Sequence, residues 1–190
     1  MANDTSINSS ATNYDGTTIF LHWATAILIA LLWVIGQTGD LFPKGPLRAD
    51  YWSLHVVLGI TLAFVLIGRI AWRKAAGRQL PPADSGIRQT VAKAIHYTLY
   101  VLLVLTILGG VANALVRGVN LFGVVALPQI GDKALKEPLT EWHGLAANLV
   151  VGLALFHSAV ALAHHYVLKD NVLGRMVPGH RPAPDAKQSA

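Results

Sequence analysis

Residues 142–168 read WHGLAANLVVGLALFHSAVALAHHYVL, a run of 27 residues without Asp, Glu, Lys or Arg. A helix needs about 20 mainly apolar residues to cross about 30 Å of hydrocarbon. Three further runs without charge occupy residues 16–39, 51–68 and 94–116. Because a spanning segment must satisfy its own backbone hydrogen bonds, four such runs predict an all-α fold, a four-helix transmembrane bundle.

The composition excludes most other classes of protein. Of the 190 residues, 53% are hydrophobic and 13% are charged, and the mean hydropathy is +0.47. Soluble domains carry about 25% charged residues, so this chain lacks the polar surface of a soluble domain. A transmembrane β-barrel would need alternating segments of about 10 residues, and residues 26–35 do not alternate. The absence of cysteine excludes disulfides, iron–sulfur clusters, thiolate zinc sites and covalently attached haem.

The charge-free runs also set the predicted boundaries. The spans are expected at about 17–38, 51–72, 94–116 and 142–168, within a domain of residues 17–177. A polar tail of residues 1–16 and a mobile tail of residues 178–190 flank this domain. Residues 1–14 contain no Lys or Arg, so we expect the first span to remain in the mature protein and not to be a cleaved signal peptide.

Basic residues predict the orientation of the bundle. Ten lie on one side, six within residues 69–93 and four within residues 169–187. The opposite side carries five: Lys44, Arg48, Arg117, Lys133 and Lys136. The positive-inside rule therefore places both termini in the cytoplasm. Five acidic residues balance the five outer cations, so the net charge of +5 reports topology and does not indicate a nucleic-acid partner.

Seven histidines lie within the predicted spans: His22, His55, His96, His143, His157, His164 and His165. Ionisable side chains at membrane depth are costly and usually functional. A single one is often a helix-end anchor or is bonded to a backbone carbonyl. Seven distributed over four spans indicate ligands.

The last span carries a stripe of histidines. His143 and His157 are 14 residues apart, which is about 21 Å along a helix and about 40° from alignment. His164 continues this stripe, whereas His165 points about 100° away from it. Two ligand positions on one helix face, near opposite membrane surfaces, are typical of two stacked cofactors in a bundle.

The depth of each histidine in the membrane indicates which histidines could bind the same cofactor. His55 and His143 both lie near the outer surface and form the natural pair there. On the inner side His22 could pair with His157, with His164 or with His96. Haem is favoured over a metal ion because one imidazole from each of two helices is enough to bind haem iron, whereas zinc or copper needs three or four converging ligands. Gly59 and Gly144 would allow close packing around such a ring, and Gly109–Gly110 are interpreted as ordinary helix contacts.

Five motifs resemble those of the bacterial cytochrome b561 family over residues 17–178. They are FLHW (20–23), SLHV (53–56), RGVNLFG (117–123), WHGLAANL (142–149) and ALAHHYVLKDNVLGRMVP (161–178). The resemblance implies a multi-pass protein of the bacterial inner membrane with two haem b groups. It also implies that His55 and His143 bind the outer haem iron and that His22 and His157 bind the inner one. His164 and His165 match an HHY element associated with the inner haem and with quinone.

The resemblance implies that the chain is an oxidoreductase that takes electrons from superoxide at the outer face and delivers them to ubiquinone. Lys44, Arg48, Lys133 and Lys136 could steer the superoxide anion. His164 is a candidate contact for quinone or for a haem propionate, and His96 a propionate partner or helix-end anchor. Two alternatives remain: a cytochrome anchor that relays electrons between a partner dehydrogenase and quinone, and a non-redox, histidine-lined metal transporter.

Overall fold

Four long helices dominate the computed structural model, which describes residues 13–83 and 85–178. They are α1 (Gly16–Thr38), α2 (Pro46–Ala75), α3 (Gly86–Arg117) and α4 (Lys136–Ala163). All four are long and apolar enough to cross a membrane. The predicted all-α arrangement of four apolar helices is confirmed. Of the two predicted tails, residues 1–12 and 179–190 lie outside the described part of the chain.

The helices continue beyond the charge-free runs. Helix α2 begins five residues before the predicted span, and α3 and α4 begin eight and six residues before theirs. Charged residues stop a segment from entering hydrocarbon but do not stop a helix, so the hydropathy pattern marks the membrane and not the helix ends. The ends follow local signals: Pro46 is the first residue of α2, and Gly118, with φ +60°, ends α3.

The bundle consists of two closely packed helix pairs. Helix α1 packs mainly on α2, and α3 mainly on α4, while contacts between the two pairs are fewer. A small core joins the pairs, made of Leu32, Leu62, Leu66, Leu103 and Val150. In the most apolar window of each helix, at most 17% of the residues are buried inside the protein. Packing within each pair is therefore more extensive than packing between the pairs.

Large apolar side chains cover the outside of the bundle. Phe64, Ile67 and Leu155 are each more than 60% exposed. Such a surface is unfavourable in water, but hydrocarbon solvates it without cost. The outer face is therefore the lipid-facing surface of a multi-pass membrane protein.

One end of the bundle carries a two-stranded hairpin, and we call it the hairpin end. Strands β1 (Asn120–Leu121) and β2 (Val125–Ala126) are antiparallel, with Asn120 opposite Ala126. The turn has positive φ at Phe122 and Gly123. The hydroxyl of Ser53, which is fully buried in α2, accepts a hydrogen bond from the backbone N–H of Phe122 at 3.1 Å. This bond holds the hairpin over the end of α2.

The other end carries the start of α1 and the end of α4, and we call it the terminal end. Asp15 caps α1 there by accepting hydrogen bonds from the backbone N–H and the hydroxyl of Thr18. It also accepts hydrogen bonds from the indole of Trp72 and from the backbone N–H of Arg78. Burial raises the pKa of the Asp15 carboxyl, but these four hydrogen bonds outweigh burial and hold that pKa well below its usual range.

Helix α4 ends in a π-helical turn, His164–Leu168, and not in regular α-helix. The segment 169–178 then folds back across the terminal end. The indole of Trp23 donates to the carbonyl of Met176, the backbone N–H of Tyr14 donates to the carbonyl of Arg175, and Arg175 donates to the carbonyl of Pro81. The segment therefore connects α1 to the loop between α2 and α3.

Candidate functional site

His55 of α2 and His143 of α4 face each other near the hairpin end. They are the tenth residue of α2 and the eighth residue of α4, so two antiparallel helix pairs bring them to similar depth. Their ring centroids are 6.1 Å apart, with the ring planes at 83°. Two imidazoles that bind one metal ion from opposite sides, with bonds of about 2 Å, place their centroids about 6 Å apart. The observed spacing is that of an axial ligand pair.

A hydrogen bond and a close glycine fix the orientation of the His143 ring. Its Nδ1–H donates to the backbone carbonyl of Thr106 at 2.9 Å, which leaves Nε2 as the nitrogen that can bind a metal. The ring also lies against Gly110, where an added Cβ would come within 2.9 Å of Cε1 of His143. Gly109–Gly110 are thus a helix contact, as expected, but the partner is the candidate ligand itself.

His22 of α1 and His157 of α4 form the second pair, near the terminal end. His22 is the seventh residue of α1 and His157 is the seventh from the end of α4, so the two lie at matching depth. Their ring centroids are 6.5 Å apart. Counted along the uncharged run, His157 would lie deeper in the membrane than His22, because that run continues to residue 168, five residues past the end of the α-helix.

The other inner candidates are placed differently. The ring of His96 lies 5.0 Å from that of His157, which is too short a separation for a metal ion between them, and its Nδ1–H donates to the carbonyl of Ala92. His164 donates from Nδ1 to the carboxylate of Asp170 at 2.6 Å. His165 contacts the ring of Tyr166. For His22, the recorded ring spacing to His157 is the one that an axial pair would adopt.

Two observations test whether these residues fit haem. The Nδ1 atom of His22 is buried and finds no hydrogen-bond partner among residues 13–83 and 85–178, so the protein alone does not satisfy this imidazole. An added Cβ at Gly59 or Gly144 would meet no atom within 4 Å, so space remains beside His55 and His143. Paired imidazoles with space between two apolar helix pairs fit a flat, apolar macrocycle.

The same residues do not fit a bare metal ion. In the part of the chain that the structure describes, no three or more His, Cys, Asp or Glu side chains are grouped so that they could hold one. Structural and catalytic zinc sites need at least three such ligands. The donor sets therefore favour haem over the metal sites of a transporter.

The cations at the hairpin end divide into two groups. Arg48 forms an ion pair with Asp40, and Arg117 forms one with Glu137 while also donating to the hydroxyl of Thr140. Lys44, Lys133 and Lys136 form no ion pair within residues 13–83 and 85–178. The structure thus distinguishes structural arginines from lysines whose charge is available to solvent.

An open groove of about 630 Å³ lies at the terminal end beside α1. Its lining includes Tyr14, Ile19, Phe20, Trp23, Val177 and Pro178. The ring of Trp23 also contacts the ring of His22, with centroids 5.7 Å apart. An apolar groove of this size could hold a small lipophilic molecule next to the terminal-end pair.

Several residues at the site were not found from the sequence. Thr106 contributes a backbone carbonyl, which has no sequence signature. Asp170 is the partner of His164 only because the π-helical turn brings residues 164 and 170 together. Arg69 interacts electrostatically with His22 and His157. It lies inside the predicted second span, residues 51–72, and a charged residue within a span is the sequence signal that marks it.

Paired imidazoles from neighbouring apolar helices, repeated at two depths, define a membrane cytochrome of the b type. The family comparison agrees: residues 13–179 match the family described as prokaryotic cytochrome b561. The chain belongs to this family, so the resemblance inferred from the sequence motifs is confirmed. It is a multi-pass membrane protein of haem-based electron transfer.

Three curated relatives are similar over most of their length. The probable superoxide oxidase CybB of Yersinia pestis is 27% identical over 88% of this chain and 97% of its own. Cytochrome b561 homolog 1 of Escherichia coli K12 is 27% identical over 87% of this chain and 97% of its own. Cytochrome b561 homolog 2 of the same strain is 28% identical over 90% of this chain and 95% of its own.

Proposed function

We propose that this chain is a di-haem b oxidoreductase that takes electrons from superoxide at the hairpin end and delivers them to ubiquinone at the terminal end. The observation that carries the proposal is that two pairs of imidazoles lie at two depths of the bundle. The ring centroids are 6.1 Å apart in one pair and 6.5 Å apart in the other. The relative named as a probable superoxide oxidase supports the choice of donor.

Four histidines would hold the two haem groups. His55 and His143 are the proposed ligands at the hairpin end, and His22 and His157 those at the terminal end. When bound, haem would supply reversible one-electron chemistry at each pair. His143 and His157 are 14 residues apart on α4, about 21 Å along the helix, so the two sites together cover most of the bilayer.

The distribution of basic residues predicts which end of the bundle faces the cytoplasm. Six of the ten inner cations lie within residues 69–93, and Lys169 and Arg175 follow α4, so the terminal end carries the positive excess. By the positive-inside rule this end is cytoplasmic, and the hairpin end faces the periplasm of a bacterial inner membrane. Superoxide is therefore oxidised outside and quinone is reduced near the cytoplasm.

The three unpaired lysines favour an anionic donor. Lys44 and Lys133 are exposed, and Lys136 is half-buried. A local excess of available positive charge raises the encounter rate of a small anion, and salt weakens this effect. We therefore place the steering function on Lys44, Lys133 and Lys136, and not on the two ion-paired arginines.

The groove beside His22 is the proposed site for ubiquinone. Its apolar lining suits the ring and isoprenoid tail, and the indole of Trp23 connects it to the terminal-end pair. His164 lies at the same end, and Asp170 fixes its orientation through Nδ1. Burial raises the pKa of Asp170, but the hydrogen bonds from His164 and Val172 outweigh burial and lower it. Asp170 thus stays ionised and remains an acceptor for the Nδ1–H of His164.

The reaction balances without a further reactant. Two superoxide anions each lose one electron and become two molecules of dioxygen. One ubiquinone takes up these two electrons and two protons and becomes ubiquinol. The protons are taken from the cytoplasmic side, where His164 lies.

The deciding experiment supplies purified protein with an enzymatic source of superoxide and a soluble ubiquinone analogue. We expect ubiquinol to form faster than without protein, and superoxide dismutase to abolish the difference. Quinone reduction no faster than the spontaneous rate, by a protein that carries haem, would contradict the superoxide activity and favour the anchor role. A folded, colourless preparation from haem-replete cells would contradict the whole proposal.

A further inference from the structure

Arg69 places a positive charge inside the bundle at the depth of the terminal-end histidines. It is the seventh residue from the end of α2, as His157 is from the end of α4. Its side chain is half-buried and interacts electrostatically with both His22 and His157. A charge at this depth, next to two proposed ligands, is costly unless it has a function.

The side chain of Arg69 points into the bundle and not towards the membrane surface. Side chains on a helix tilt towards its N-terminus, and the N-terminus of α2 is at the hairpin end. The guanidinium lies over the ring of Tyr100, 5.5 Å from its centroid, and Tyr100 is the fifteenth residue of α3. An arginine that snorkels to the interface would point the other way.

No carboxylate among the described residues forms an ion pair with this arginine. Within residues 13–83 and 85–178, Arg69 forms no ion pair, and its recorded contact is the face of Tyr100. Arg73, one turn later on the same helix, differs: it lies over Tyr14 at the terminal end and donates to the carbonyl of Arg78. A half-buried guanidinium without an anion is a site for a carboxylate from outside the chain, because its planar fork binds carboxylates in a bidentate manner.

We propose that Arg69 binds the propionate carboxylates of the haem held by His22 and His157, with Tyr100 holding the guanidinium in place. The inference rests on the proposed ligand pair and adds a residue that sets the affinity and the potential of this haem alone. A nearby positive charge favours the reduced state, so Arg69 raises the midpoint potential of the terminal-end haem.

The test is a redox titration of the haem α-band in purified wild type, Arg69→Gln, Arg69→Lys and Arg73→Gln. Two one-electron components in wild type are expected from the proposed function, and their absence would overturn that function independently of Arg69. In Arg69→Gln one component should shift by about tenfold in its reduction equilibrium, about 59 mV towards lower potential for a one-electron couple. Arg69→Lys should recover most of the shift, and Arg73→Gln should leave both components in place.

The haem content of the same variants also decides the proposal. Loss of one haem per chain in Arg69→Gln, with both retained in Arg69→Lys, supports the proposal, because it shows that the cation holds the group. Full haem content with an unshifted titration in Arg69→Gln overturns it. An equal shift or loss of both haems, in Arg69→Gln and Arg69→Lys alike, also overturns it, because the arginine would then serve the fold and not one site.

Discussion

At the scale of single residues, His143 is held more firmly than any other proposed ligand. Its Nδ1–H is bound by the carbonyl of Thr106, and its ring lies so close to Gly110 that an added Cβ there would come within 2.9 Å of Cε1. A ligand whose second nitrogen is hydrogen-bonded loses little entropy on binding a metal, and the bond increases its basicity. We therefore expect the hairpin-end site to load without rearrangement of α4.

The first prediction concerns the hairpin-end pair. His55→Ala or His143→Ala should lower the haem content from two groups per chain to one, because one imidazole cannot hold the group in a closed axial site. A pyridine haemochrome assay against protein concentration measures this ratio. His165→Ala is the matched control on the end of α4 and should keep two haems. An unchanged ratio in both ligand variants would show that the assignment is wrong.

The second prediction separates two histidines that are one heptad apart. His157→Ala should abolish the terminal-end haem, whereas His164→Ala should retain both haems and slow quinone reduction. The reason is that the ring of His157 faces His22 at 6.5 Å, while Nδ1 of His164 is bound to Asp170. Haem content and the rate of ubiquinol formation are measured on the same samples. Loss of haem from the His164 variant alone would reverse the two roles.

Sequence reasoning proposed the ligands but did not predict their surroundings. Type and spacing were enough to identify the histidines, because an imidazole at membrane depth is conspicuous. The choice of His157 for His22 depends on where α4 stops being α-helical, which hydropathy does not show. The carbonyl of Thr106 and the stacking of Arg69 on Tyr100 depend on how α3 packs, so one sequence contains no signal for them.

At the scale of elements, the hydropathy pattern predicted four helices, and local chemistry set their ends. Asp15 at α1, Pro46 at α2 and Gly118 after α3 are conventional signals. The hairpin of β1 and β2 was not predicted because each strand has only two residues. Its position depends on the buried hydroxyl of Ser53, a tertiary contact.

The third prediction concerns the cap of α1. Asp15→Ala removes an N-cap and leaves the indole of Trp72 and the backbone N–H of Arg78 without their acceptor, so it should destabilise the fold by about 2 kcal/mol. Asp15→Asn keeps the cap acceptor and should cost less. Thermal unfolding in detergent, followed by circular dichroism, measures the difference. Equal stability of the Ala variant and wild type would show that the hydrogen bonds at the terminal end contribute nothing net.

The contribution of Asp15 to the stability of the fold should decrease in acid. The folded-state pKa of Asp15 lies below that of the unfolded chain, so its contribution to stability is complete above the ordinary carboxyl pKa. The contribution is lost as the pH falls from there towards the lowered value. The stability gap between wild type and Asp15→Ala should therefore be constant near neutral pH and become smaller in acid.

At the scale of the whole molecule, the two ends of the bundle differ in how their cations are used. At the terminal end, Arg78 and Arg175 donate to backbone carbonyls and close the end of the bundle. At the hairpin end, both arginines are ion-paired, whereas Lys44, Lys133 and Lys136 form no ion pair with the residues that the structure describes. The net charge of the outer side is zero, so any steering of an anion depends on where these lysines lie and not on total charge.

The fourth prediction tests this steering. Replacing Lys44, Lys133 and Lys136 together by Gln should slow haem reduction by superoxide by about tenfold at low salt, because the local potential that attracts the anion is removed. The wild-type rate should fall as salt rises and the Debye length shortens to about 8 Å at physiological ionic strength, whereas the triple variant should depend less on salt. Stopped-flow absorbance of the α-band measures both rates. Lys74→Gln, an exposed lysine at the terminal end, is the control and should behave as wild type. Identical rates and salt slopes for the triple variant and wild type would mean that superoxide reaches the hairpin-end haem by diffusion alone.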